Sequence, residues 1–318
     1  MRAAVFQRYG PPEVVRVAEV PRPEPRAHEV LVRVEAVAVT SADARIRGAR
    51  FPPGFGFLAR LVFGVVRPRR RILGSCFSGV VESVGSGVDD FAPGDEVCGM
   101  TGTRLGAHAQ YLTVAAKRIA RKPPEVFHED AAGLLFGGTT ALFFLRDKAS
   151  VGPGVTVLVN GASGAVGTNA VQLAKHLGAT VTGVTSSGNA ELVTKLGADH
   201  IIDYAQDGLS TVEERFDVVF DTVGNLSIGS GRRLLNTDGV LILAVAGLGD
   251  TIRARGKVVA GAAPERVEDF AFLLQLAVEG EITAVLDSVY DLDEVADAHR
   301  RVDSGHKRGN VIVRPQPR

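Results

Sequence analysis

One stretch constrains the fold more than any other: Val155 to Ser187, VTVLVNGASGAVGTNAVQLAKHLGATVTGVTSS. Its β-branched apolar run, Val155-Thr156-Val157-Leu158-Val159, has the length and composition of a buried strand. A glycine turn follows, Gly161-Ala162-Ser163-Gly164-Ala165-Val166-Gly167. Val166, Ala170, Leu173, Ala174 and Leu177 then share one face of a helix, with Gly178 placed as its C-cap. Ala179 to Val184 reads as a second strand. Strand, turn, helix and strand within about thirty residues make a βαβ unit.

The turn suits an anion. Glycines let the backbone approach a pyrophosphate, and the next helix aims its unpaired N–H groups and its dipole at it. The pattern is G-x-G-x-x-G with Ala162 in the first glycine slot. Gly161, Ala162, Ser163, Gly164, Ala165, Val166 and Gly167 are therefore candidate dinucleotide contacts. The end of the second strand selects the dinucleotide. An NAD site carries an acid there for the ribose 2′-OH. This chain has Thr185-Ser186-Ser187-Gly188-Asn189, and no acid before Glu191. Thr185, Ser186, Ser187 and Asn189 can donate to a 2′-phosphate that a carboxylate would repel. The pattern favours NADPH; a permissive site that also takes NADH is the alternative.

The rest of the chain frames this unit. Its 318 residues are enough for two domains. A net charge of +0 gives no electrostatic case for a nucleic-acid partner. Cys76 and Cys98 form no CxxC and no metal-ligand spacing, which fits a reducing, cytoplasmic setting. The N-terminal residues lack a charged start followed by an apolar core, so no signal peptide is expected. No apolar run reaches the ~20 residues of a membrane span.

Residues 1–120 read as short strands with turns, a barrel-like or sandwich-like module. Within it, Phe51 to Arg71 mixes apolar residues with Arg67, Arg69, Arg70 and Arg71. It reads as a lid or pocket wall over an apolar substrate, or as a membrane-surface helix. From about Pro123 the pattern turns helical. Glu129 to Leu135 and Thr139 to Arg146 read as helix broken around Gly137-Gly138. Strands and helices then alternate to Val278, the signature of a doubly wound parallel sheet. The tail returns to strand character.

Together these motifs resemble the medium-chain dehydrogenase/reductase superfamily, in its zinc-free quinone oxidoreductase-like branch. The segments that carry the resemblance include EVLVRVEAVAVTSADARIRG, ILGSCFSGVVESVGSGVDDFAPGDEVCG, NGASGAVG, LGADHIIDY, FDVVFDTVG and GHKRGNVIV. It implies an α/β protein: a discontinuous GroES-like catalytic domain over 1–120 and 282–318, and a Rossmann domain over 121–281. Zinc members carry Gly-His-Glu where this chain has Gly74-Ser75-Cys76, and a Cys near Thr40-Ser41-Ala42-Asp43. A catalytic zinc takes about three protein ligands, so no metal is expected. By resemblance Thr40 and Asp43 are the candidate catalytic pair. Thr140, Tyr204, Val223, Val245, Ala246, Gly247 and Asn310 join the candidate cofactor contacts. His108 lies in a cleft-lining segment of relatives, though a structural His is the stronger reading.

The activity implied is hydride transfer from NADPH to a quinone or α,β-unsaturated carbonyl, a small, apolar, electrophilic substrate. The alternatives are a zinc-independent alcohol or ketone oxidoreductase, and a non-catalytic NADPH-binding regulatory or structural protein. A homodimer through the edge strand near Val258 is also implied.

Overall fold

The computed structural model describes residues 1–317. They pack as two compact units. One holds Met1–Phe51, Gly56–Phe136 and Glu265–Arg318; the other holds Pro52–Phe55 and Gly137–Pro264.

In the second unit, six parallel strands lie in the order His200–Asp203, Thr180–Thr185, Thr156–Asn160, Phe216–Asp221, Leu235–Leu243, Val258–Ala260. The chain starts in the middle, winds to one edge, then returns and winds to the other. Strand order therefore reverses between Thr156–Asn160 and Phe216–Asp221, the crevice where open α/β sheets bind ligands. Val157, Leu158 and Val159 are all fully buried. A central parallel strand is covered on both faces, which is why its sequence is a continuous apolar run.

The first unit is built on Glu29–Val39, eleven residues long. It pairs antiparallel with Cys76–Val84, Tyr111–Ala115 and Asn310–Arg314, and Leu286–Asp291 adds in parallel to the last of these. The long strand is buried along most of its length. Its charges survive by pairing: Arg33 with Glu35, and Glu29 with Arg104 at 3.0 Å.

The structure departs from the sequence pattern in two places. The helix does not break at Gly137-Gly138 but runs continuously over His128–Leu142, then through a π-helical turn, Phe143–Lys148. Glycine costs about 1 kcal/mol in a helix. Here it gives room, since a Cβ on Gly137 would lie 2.2 Å from the Ala165 carbonyl oxygen. The seams between units also fall at 136/137 and 264/265 rather than at 120/121 and 281/282. Helix Val267–Val278 buries Phe270 and Leu274 against Cys76, Cys98, Met100, Ala131 and Leu135, so it packs with the β-rich unit. Among the described residues, no helix is long and apolar enough to cross a membrane.

Candidate cofactor site

The glycine turn is held by the strands around it. The N–H groups of Gly161 and Ala162 both donate to the Val184 carbonyl, at 3.1 and 3.0 Å. Gly161 takes the left-handed conformation, φ +82°, and a Cβ there would meet Val223 and Thr222. Ala162, in the first glycine slot, is fully buried and packs on Gly183. The tight turn is thus supplied by Gly161, one residue before that slot. Gly167 lies against the turn's backbone: a Cβ would stand 2.1 Å from the Gly161 oxygen and 2.8 Å from Ala162 Cα. Gly164 differs. A Cβ there would meet only the Gly161 oxygen, at 3.4 Å.

Gly164 also begins helix Ala165–His176, and no side chain caps it. Open space over an uncapped helix start, with glycine where a side chain would intrude, fits a pyrophosphate. Gly137 packs on Ala165 at the same helix start, which brings Thr140, one turn along Gly137's helix, toward this end of the unit.

At the end of strand Thr180–Thr185, Ser163 Oγ accepts from Thr185 Oγ1 at 3.1 Å and from Asn189 Nδ2 at 3.2 Å. Asn189 Nδ2 also reaches Ser186 Oγ at 3.3 Å. Four of the candidate residues therefore form one network of hydroxyls and an amide. Ser187 is exposed beside it. Asp203, the register partner of Thr185, turns its carboxylate to Ala205 N and Gln206 Nε2. Tyr204 N donates to the Thr185 carbonyl, and the residue stands 55% exposed at this strand end.

A clamp on the other side of the turn is absent from the candidates read from sequence. Asp221, fully buried, accepts from Val223 N, Gly224 N and Leu226 N, each at 3.0 Å, and from Asn160 Nδ2 at 2.9 Å. Thr222 Oγ1 donates to the Asn160 carbonyl at 2.7 Å. These bonds fix the loop that carries Val223 against the turn. Gly224, at φ +90°, packs on Val245, which brings the loop carrying Val223 beside Val245. Gly247 ends the segment as the N-cap of Leu248–Arg253. The sequence signal for the clamp was a polar Asn160 closing an apolar strand, and an Asp closing FDVVFD.

Thr40, Asp43 and Asn310 belong to the β-rich unit. Thr40 and Asp43 form a capping box on helix Ser41–Gly48. Asp43 Oδ2 accepts from Thr40 N at 2.8 Å and Thr40 Oγ1 at 2.6 Å, and Oδ1 accepts from Gly74 N at 2.8 Å. Asn310 donates its amide to the Val285 carbonyl at 3.2 Å. His108 is fully buried, with Nε2 3.3 Å from the Ala38 carbonyl. Burial pushes the Cys98 thiol up to about 12, and the Cys76 thiol higher still.

The segment 26–124 matches the alcohol dehydrogenase GroES-like domain, and 196–313 matches a zinc-binding dehydrogenase domain. The NADPH-dependent alkenal/one oxidoreductase of Arabidopsis thaliana is 30% identical over 335 residues, covering 100% of this chain and 80% of that protein. The quinone oxidoreductase of Pseudomonas aeruginosa is 30% identical over 334 residues, covering 98% of both. Among solved structures, the quinone oxidoreductase of Coxiella burnetii superposes with a TM-score of 0.89 at 29% identity, over 99% of each chain. With both domains matched in order and relatives aligned end to end, the chain belongs to the medium-chain dehydrogenase/reductase superfamily, in its quinone oxidoreductase-like branch, and is an NAD(P)H-dependent oxidoreductase.

Proposed function

We propose that this protein reduces a quinone or an α,β-unsaturated carbonyl with NADPH, without zinc. The observation that carries the reading is what stands at the metal-ligand positions of zinc members. No Cys stands in Thr40-Ser41-Ala42-Asp43, where zinc members carry one, and Asp43 is engaged by Thr40 and by the Gly74 N–H. Ser75 stands where zinc members carry His; its Oγ lies 3.6 Å from the Sγ of Cys76, which is fully buried. One hydroxyl and one buried thiol fall short of the roughly three protein ligands a catalytic zinc takes, so this set does not fit the metal. Among the described residues, no group of three or more His, Cys, Asp or Glu could hold an ion.

Bound NADPH would supply a hydride. Without a Lewis acid a simple ketone gains no polarisation. A conjugated acceptor carries its own electron sink. Thr40 gives its hydroxyl proton to Asp43, so it has none free to donate to substrate. Asp43 is a positioning residue for Thr40 and for the Gly74 turn, and solvent protonates the product.

NADPH preference is supported by the acid-free network of Ser163, Thr185, Ser186 and Asn189, and by the cofactor in the Arabidopsis relative's name. Tyr204 would close over the 2′-phosphate ribose. Thr140, Val223, Val245, Ala246 and Gly247 would line the route to the nicotinamide. A homodimer would pair the edge strand Val258–Ala260 with its copy, in a cytoplasmic setting.

The test follows NADPH and NADH oxidation with a quinone, an enone and a simple ketone. Turnover of quinone or enone with a clear NADPH preference is expected. Turnover of the ketone alone would sink the proposal in favour of a ketone oxidoreductase. Tight NADPH binding with no turnover would favour a non-catalytic role.

A further inference from the structure

The segment Phe51 to Arg71, ambiguous in the sequence, has a specific arrangement. Gly56–Phe63 is a helix with no buried residue. Phe57 is 73% exposed, and Leu58, Leu61 and Val62 are exposed with it. Beyond the helix the chain doubles back: Arg69 N donates to the Phe63 carbonyl at 2.8 Å, and Tyr9 Oη donates to the Gly64 carbonyl at 2.6 Å. The tip of this turn exposes two more apolar side chains, Val65 and Val66, the latter at 81%.

The returning chain forms one wall of a cavity of about 460 Å³. Arg67, Pro68 and Arg71 line that wall, and Gln7, Arg8 and Arg16 line the other. The backbone fixes this arrangement. Phe6 N donates to the Arg71 carbonyl at 2.8 Å, Val5 bridges Ile72, and Arg16 is the register partner of Val5. No acid lines the cavity. Among the described residues, none of Arg8, Arg16, Arg67, Arg69, Arg70 and Arg71 makes an ion pair.

Four guanidinium groups around one cavity repel each other. The cost is recovered only by anions, and arginine forks suit phosphate oxygens. A soluble phosphate would account for the cavity but not for the exposed apolar helix and valine tip beside it. An anionic lipid surface accounts for both, with phosphate at the arginines and apolar side chains at the acyl boundary. We infer that this face of the β-rich unit docks the protein on membranes rich in anionic phospholipid.

The test sediments the full-length protein with phosphatidylcholine vesicles, with and without a quarter phosphatidylglycerol, at low and high salt. Binding to the anionic vesicles, falling steeply with salt, is expected. Removing one arginine should lower partitioning by about fivefold, and Arg67→Gln/Arg71→Gln by about 25-fold. Phe57→Ser/Val66→Ser should weaken binding even at low salt. An unchanged melting temperature in these surface variants confirms that folding is not what is read. Absence of binding to anionic vesicles at low salt overturns the inference. So does binding that both double variants leave intact. So does tight binding of pyrophosphate with no vesicle binding, which would assign the cavity to a soluble phosphate. A Phe57→Ser variant that loses enone turnover but keeps vesicle binding would make the helix a substrate lid instead.

Discussion

Gly164 and Gly167 sit three residues apart in one motif, yet the structure gives them different work, and replacing each with alanine should separate the two. At Gly167 the new methyl would sit 2.1 Å from the Gly161 oxygen, with Ala162 Cα at 2.8 Å. An ordinary carbon–oxygen contact is about 3.3 Å or longer, so the helix Ala165–His176 must retreat by roughly 1 Å. Both obstacles are backbone, and no rotamer change relieves them. Overpacking of this kind costs about 1–3 kcal/mol. At about 2–4 °C per kcal/mol, the melting temperature should fall by roughly 2–12 °C. At Gly164 the methyl meets nothing closer than 3.4 Å, and its φ of −80° is open to alanine. Gly164→Ala should therefore melt within a degree or two of the wild type, while its methyl enters the open space proposed for the pyrophosphate. NADPH affinity should fall by at least about tenfold, since a misplacement of 1 Å at such a site is worth roughly that or more. Differential scanning fluorimetry and NADPH fluorescence titration read the two effects separately. The reasoning fails if Gly167→Ala melts like the wild type, or if Gly164→Ala binds NADPH normally.

Three further outcomes follow from the same geometry. Ser186→Asp places a carboxylate where the 2′-phosphate would lie, so the ratio of kcat/KM for NADPH over NADH should drop by at least about tenfold; an unchanged ratio would remove the basis for NADPH preference. Asp221→Ala leaves three backbone N–H groups and Asn160 Nδ2 without their acceptor, which should cost about 3–5 kcal/mol and weaken NADPH binding, measured by denaturant unfolding and titration. His108 and His299 pack edge to face at 5.7 Å, both fully buried, and His299 has no hydrogen-bond partner on either nitrogen. Burial, then the neighbouring His108 and Arg47, hold His299 well below the usual range, and burial lowers His108 as well. With both lowered by folding, the unfolded chain binds protons more readily than the folded one below about pH 6.5. Stability should therefore fall as pH drops from 7 toward 5, by up to ~1.4 kcal/mol per unit for each ring. His299→Phe should shed its share of that slope in urea unfolding at pH 7 and pH 5, and equal slopes would refute the assignment.

What the sequence disclosed and what it withheld follow from the range of the forces involved. The βαβ unit was legible because its determinants are local: apolar strand, glycine turn and helix period all lie within Val155 to Ser187. In the sequence, Thr40 and Asp43 are paired by family resemblance alone; the capping box that joins them is a finding of the structure. The function of that pair was not legible, since Asp43 spends its second oxygen on Gly74, thirty-one residues away. Gly137 shows the limit most clearly. Read locally, two adjacent glycines end a helix; in the fold, Gly137 lets the helix lie against the backbone at Ala165. Close backbone approach is a tertiary demand that sequence writes in the same letter as a break. The Asp221 clamp was hidden for a related reason. Asn160 and Asp221 sit on strands sixty-one residues apart, and only the crossover of the parallel sheet makes them partners. Since that crossover also creates the switch-point crevice, the residues that lock the turn and the place where a dinucleotide can lie arise from one topological event. A variant that breaks the clamp should therefore lower stability and cofactor affinity together, whereas Gly164→Ala separates them.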